Sequence, residues 1–240
     1  MAIVRRVGGF TPKASGLHFA NAWPHDPIRQ FKLGNVATLT IGDAANGLCG
    51  GMSFAVRDLF EHGIIPPPDT TPPPPGSARQ RYVIDRQIDS FENGLVPWRF
   101  YTLMDPKRPV TEPLIAEWLG RIGVDRHSRT YVMVAEEWPR IRADIDANRL
   151  STVGLVKVVD RDPLALGKNH QVLAYGYDLD GARLTLRIYD PNYPNVDNVT
   201  LSLDVSNPRG RVTPDWSQPD GQVVCFFRAP YARRDPVPYR

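Results

Sequence analysis

One thiol in this chain stands where a thiol can do chemistry. Cys49 lies in Gly47-Leu48-Cys49-Gly50-Gly51-Met52-Ser53-Phe54-Ala55, at the junction between a glycine-rich loop and a helical pattern. A helix start offers unpaired backbone N–H groups and the positive end of the dipole, and both favour thiolate over thiol. The glycines let backbone or substrate approach the sulfur, which makes Gly50 and Gly51 candidate substrate-binding residues. A thiolate nucleophile needs a base and a group to orient that base. His170 opens the strand-like run Asn169–Asp178, and Asp190 closes the next one, Arg187-Ile188-Tyr189-Asp190. These two runs form a hairpin pattern around Asp180-Gly181, so His170 and Asp190 lie about equally far from the turn. The expected chemistry is acyl transfer: thiolate attacks, imidazole moves the proton, carboxylate holds the tautomer. Asn169, beside the base, is a further candidate for substrate binding.

The elements that position these groups are legible from periodicity. Met52, Ala55, Val56, Leu59 and Phe60 share one face of a helix, which Gly63 ends. Further helical patterns cover roughly 80–91, 112–122 and 136–148, the last with Trp138, Ile141 and Ile145 as its apolar stripe. Strand patterns fall at 36–41, 153–159, 170–177, 183–190, 199–205 and 222–227. Side-chain alternation places His170 in a row with Val172, Ala174 and Gly176, and Asp190 in a row with Leu184, Leu186 and Ile188. Helices first and strands second, without βαβ alternation, predict an α+β fold. We read residues 1–240 as a single domain. It comprises an N-terminal extension (about 1–35), a helical half (about 49–148), a Pro-rich loop (65–76) and a β-rich half (about 151–230).

Composition narrows the function classes. A net charge of +3, with both signs interspersed, gives no argument for nucleic acid or membrane as partner. No apolar run reaches the length of a membrane-spanning helix, and no secretory signal opens the chain. The expected location is therefore the cytoplasm, or outside the cell by a route that reads no N-terminal signal. With 2 cysteines there is no disulfide framework. Cys225 sits in the apolar run Val223–Phe227, where a buried free thiol is common, so Cys49 is expected to be unpaired. His18, His62 and His127 match no metal spacing, and no phosphate or dinucleotide motif is present, so neither metal nor cofactor is expected. His25 is an alternative base. Seven prolines within residues 66–75 dictate extended, polyproline-like coil. We expect an exposed loop there, with service as the ligand of a proline-reading partner domain as its alternative role.

The order Cys49…His170…Asp190, with Cys heading the first long helix and His opening a strand, resembles the papain-like cysteine peptidases. Gly47–Phe60, Asn169–Asp178 and Ile188–Pro194 carry the likeness, and the helix at 138–148 with its following strand adds to it. The nearer similarity is to the compact bacterial branch that includes the leader-peptide-cleaving domains of bacteriocin exporters. The resemblance implies a helical half and a sheet half with a cleft between them. It makes Cys49 the nucleophile, His170 the general base and acid, and Asp190 the orienter. In that family a Gln six residues before the nucleophile donates to the oxyanion; here that place is Asp43, whose charge would repel one. Asn46, three residues before Cys49, and the Cys49 backbone N–H are the alternative donors. Hydrolysis of a peptide or isopeptide bond in a peptide or protein substrate is the leading expectation. Acyl transfer to an amine on the same triad is a second, and a non-catalytic binding or structural protein with the same fold a third.

Overall fold

Three strands that precede the first long helix correct the expected order of helices first and strands second. In the computed structural model, which describes residues 2–23, 29–33, 37–41, 47–116 and 127–239 (29–33 and 37–41 by backbone alone), β1 (Ile3–Arg6) leads through a helical turn, α1 (Pro12–Ser15), to a two-stranded ribbon of β2 (Arg29–Leu33) and β3 (Ala37–Ile41). The helical half follows as α2 (Cys49–Glu61), α3 (Ala78–Asp89) and α4 (Leu95–Met104). A turn at Arg129–Tyr131 and a π-helical stretch at Val132–Glu137 then run into α5 (Trp138–Asp146). The helix expected over 112–122 falls mostly on residues outside those described.

Strands β4 (Ser151–Val156), β5 (His170–Asp180), β6 (Arg183–Tyr189), β7 (Thr200–Asp204), β8 (Asp215–Trp216) and β9 (Cys225–Arg228) complete the chain. They form an antiparallel sheet in the order β8-β7-β6-β5-β4-β9. The fold is thus α+β: helices against an antiparallel sheet. Strand β5 is long enough to hold two neighbours on one edge. Its first half, His170–Ala174, pairs with β4, and its second half, Gly176–Leu179, pairs with β1. The segment read as an N-terminal extension is therefore part of the sheet. Gly176 permits this, because a Cβ there would lie 2.5 Å from the Arg6 Cδ and 2.7 Å from the Arg5 carbonyl.

The core lies between helices and sheet. Met52, Ala55, Val56 and Leu59 of α2 are fully buried, as the spacing predicts. They join Val83 of α3, Ile141 of α5, the buried Val172, Leu173 and Ala174 of β5 and the inward row Leu184, Leu186 and Ile188 of β6 in one continuous cluster. The Pro-rich segment is an irregular connection between α2 and α3. It is tacked down by burial of Pro66 and Pro73 and by an Asp69–Arg79 ion pair of 2.9 Å, with most of its other residues exposed. Among the described residues no helix is long and apolar enough to cross a membrane.

Candidate active site

Cys49 is the first residue of α2, and what surrounds this helix end follows from its glycines. A Cβ on Gly51 would lie 2.2 Å from the Val83 carbonyl, and one on Gly50 2.4 Å from the Ser90 Oγ and 2.9 Å from the Gln171 Nε2. Only glycines let α2 approach α3 and β5 this closely. Gly50 and Gly51, expected to contact substrate, have these neighbours at the places where their side chains would stand, and neither is among the residues in the cleft walls. The close approach has a second effect. Gln87 of α3 accepts the Gly51 N–H at 2.8 Å, capping a helix whose own N-cap, Leu48, provides no side-chain oxygen.

The same packing brings the sulfur to β5. The Gln171 N–H donates to the Cys49 Sγ at 3.4 Å, and the Ser53 hydroxyl, one turn on, donates to the Gln171 carbonyl at 3.2 Å. His170, the neighbour of Gln171, directs Nε2 to the Asp190 Oδ1 at 2.6 Å. That leaves Nδ1 as the ring nitrogen for the thiol. Asp190 is fully buried; its Oδ1 also accepts the Asn192 N–H at 2.8 Å, while Oδ2 has no hydrogen-bond partner among the described residues.

A β-bulge sets this meeting. Below it β5 and β6 pair as Gly176 with Arg187 and Tyr177 with Leu186; above it they pair as Ala174 with Ile188 and Leu173 with Tyr189. The one-residue shift transfers every later side chain of β5 to the other row. Without it Asp190 would stand opposite Leu173, on the face away from His170. With it, the register of Leu173 with Tyr189, continued by one residue past the end of β6, sets Asp190 against Val172, in the row of His170. Gly176, expected in that row, lies beyond the bulge and outside it.

Electrostatics follow from this placement. Burial raises the Cys49 thiol, but the imidazolium of His170, acting by charge and hydrogen bond, and the Gln171 N–H together outweigh it, so the pKa is lowered. Burial lowers His170, but the charges of Asp190 and Cys49 and their hydrogen bonds prevail, raising it to about 10. Both shifts favour a thiolate–imidazolium pair. Cys225 is the contrast: fully buried in β9, it is pushed up to about 12 by burial and stays a thiol. Both cysteines are free.

A cleft of about 390 Å³ opens on the pair, with Asn21, Lys168, Asn169 and Asn192 in its walls beside Cys49 and His170. Lys157 and Asp220 form one wall as an ion pair of 2.6 Å. Asn169 does line the cleft, but its amide is engaged in structure. Its Oδ1 accepts the Lys157 N–H at 3.0 Å and its Nδ2 donates to the Leu166 carbonyl at 3.1 Å. A larger concavity of about 770 Å³, bordered by Trp98, Tyr101, Lys107 and Arg161, holds neither thiol nor imidazole.

Asp43, Asn46 and His25 lie outside the described residues. The remaining histidines serve locally: His18 meets the Asn195 Oδ1 at 2.6 Å, His62 the Asp58 carbonyl at 2.7 Å, and His127 the Glu112 Oε1 at 2.6 Å. Among the described residues no group of three or more His, Cys, Asp or Glu side chains is placed to hold a metal ion. Sequence reasoning missed Asn21 and Asn192. The nearest signal was the turn-forming Asp190-Pro191-Asn192, which says nothing of what its amide touches. No family model, curated protein or solved structure matches the chain.

Proposed function

We propose that this protein is a papain-like thiol hydrolase that cleaves a peptide or isopeptide amide bond through Cys49, His170 and Asp190. The observation that carries the reading is the buried line of sulfur, imidazole and carboxylate, with the sulfur on the Gln171 N–H and the imidazole 2.6 Å from Asp190. The Cys49 thiolate attacks the carbonyl carbon, and the carbonyl π electrons move onto oxygen. His170 then gives its proton to the departing amine as the C–N bond breaks, leaving a thioester on Cys49. Water, deprotonated by His170, attacks the thioester and releases the acid and the thiolate. Asp190 keeps the ring in the required orientation and stabilises its charged form.

The lining of the cleft supports a preference for small or polar residues flanking the scissile bond. Its side chains are amides, lysines and an aspartate rather than an apolar pocket.

The test is the pH dependence of alkylation by iodoacetamide in the wild type and in His170→Ala, Cys49→Ser and Cys225→Ala. The lowered Cys49 pKa places the midpoint of reactivity below the free-thiol value of about 8.5. His170→Ala removes the cation and moves the midpoint up, Cys49→Ser abolishes the reactive site, and Cys225→Ala changes neither. A wild-type midpoint at the free-thiol value, unmoved by His170→Ala, refutes the reading.

A further inference from the structure

We infer that Asn21 is a positioning residue of this site, holding the loop that carries the nucleophile in register with the turn that carries the orienting carboxylate. This rests on the thiol-hydrolase reading above and adds to it a residue from the first strand-and-loop segment of the chain.

The side-chain amide of Asn21 is used at both ends. Its Oδ1 accepts the Leu48 N–H at 2.7 Å and the Trp23 Nε1–H at 3.0 Å. Both partners can only donate, so the orientation of the amide is fixed and Nδ2 must point the other way. There Nδ2 donates to the Asn192 Oδ1 at 3.1 Å. The backbone repeats the tie, the Asn21 N–H donating to the Pro191 carbonyl at 3.0 Å. From Asn192 the path continues through its own N–H to the Asp190 Oδ1 at 2.8 Å, the oxygen that holds His170. One carboxamide thus joins the residue before Cys49 to the residue two after Asp190.

Two neighbours keep Asn21 in place. Trp23 is buried and meets the Phe19 ring edge-on at 5.8 Å. Gly47, at φ +49, passes so close beneath the amide that a Cβ there would sit 2.4 Å from the Asn21 Nδ2. The chemistry selects the residue type. An acceptor for one loop and a donor for another, on a short stem, is an asparagine's inventory, and alanine supplies neither. Such a bridge matters because the attraction that holds Cys49 as thiolate falls with its distance from His170. A loosened Leu48–Cys49 segment raises the Cys49 pKa towards that of a free thiol and lets the pKa of His170 fall.

The experiment measures the pH midpoint of Cys49 alkylation and the thermal unfolding midpoint in wild type, His170→Ala, Asn21→Ala, Asn192→Ala and the Asn21→Ala/Asn192→Ala double variant. Asn21→Ala should raise the alkylation midpoint by about one unit, a roughly tenfold loss of thiolate at pH values below it. Asn192→Ala, which leaves the Leu48 and Trp23 bonds intact, should move the midpoint in the same direction, and it carries the test if Asn21→Ala fails to fold. The double variant should go little beyond the larger single one, as expected for two ends of one bond. An alkylation profile that depends on His170 but is unmoved by Asn21→Ala or Asn192→Ala, even with a lowered unfolding midpoint, reduces Asn21 to a structural role and overturns the inference alone. A wild-type profile indifferent to His170→Ala overturns both this inference and the reading on which it rests.

Discussion

At the scale of single residues, the site depends on which of two opposing effects prevails at each ionisable group. For Cys49 burial is the largest single influence and acts against ionisation, yet the sum of the His170 and Gln171 contributions reverses it. Asp190 acts on Cys49 in two ways. Its charge opposes the thiolate directly, a contribution ranked below that of His170, and it supports the thiolate indirectly by keeping His170 protonated up to about 10. The indirect route should win, because it governs the nearer charge. Asp190→Asn preserves size and a hydrogen-bonding group but removes the charge. The His170 pKa is then expected to fall from about 10 towards the ordinary imidazole value of about 6.5. Above that lower pKa the ring becomes neutral, and the Cys49 pKa rises as its cation disappears. NMR titration of the His170 ring, alongside alkylation at pH 7.5, reads both halves. The expected pattern is a downward shift in the ring titration with at least about a tenfold loss of alkylation rate. A ring titration that stays high in Asp190→Asn would show that Cys49 alone sustains the imidazolium.

At the scale of elements, precision comes from close approach. Helix α2 can deliver Cys49 to β5 only because Gly50 and Gly51 have no side chains at the points where α3 and β5 press on it. Gly51→Ala places a methyl group 2.2 Å from a backbone carbonyl that cannot swing aside, so α2 and α3 must separate. Overpacking of this kind typically costs about 1–3 kcal/mol. Here it should also move the sulfur away from Gln171. Chemical denaturation should register the loss of stability, and alkylation a raised Cys49 midpoint. A neutral effect on both would mean that the interface between the two helices yields freely. The sequence disclosed α2 clearly, since its buried face repeats at helical spacing. It concealed α4, because Pro97 reads as a breaker although it lies in the first turn, where no N–H is required. It also concealed β1, whose four residues are all exposed and show no burial alternation. The hairpin placed His170 near Asp190, but counting residues from the turn cannot reveal the bulge that puts them on one face. Asn21 was beyond reach altogether, because its partners lie at Leu48 and Asn192 and the chemistry of a lone asparagine in a loop is indistinguishable from that of any other.

At the scale of the whole molecule, both ends of the described chain close onto the helix that bears Cys49. The N-terminal segment reaches it through Asn21 and the C-terminal segment through Asp58, about two and a half turns down α2. Asp58 is completely buried and is a hub. Its Oδ2 accepts from the Arg86 Nε at 2.7 Å and the Tyr82 hydroxyl at 2.8 Å. Its Oδ1 accepts from the Tyr231 hydroxyl at 2.6 Å and the Arg234 N–H at 2.9 Å. Arg86, itself 1% exposed, also donates to the Ala232 carbonyl at 2.7 Å. The segment after β9 is thus tied to α2 and α3 by side-chain bonds, with Asp58 and Arg86 at their centre and Arg79–Pro238, Arg233–Glu61 and Arg234–Asp89 beside them. Asp58→Ala leaves a buried cation without its main partner, a change that typically costs about 3–5 kcal/mol. Replacing both partners, as in Asp58→Leu/Arg86→Met, removes the uncompensated charge and should cost distinctly less than Asp58→Ala alone. Hydrogen exchange locates the effect: in Asp58→Ala, amides of residues 229–239 should lose protection before those of β5 and β6. If the double variant proves less stable than Asp58→Ala, the ion pair does not carry its stability through charge compensation. The C-terminal segment must then be held chiefly by the packing of Tyr231 against Phe54, whose rings meet edge-on at 5.2 Å.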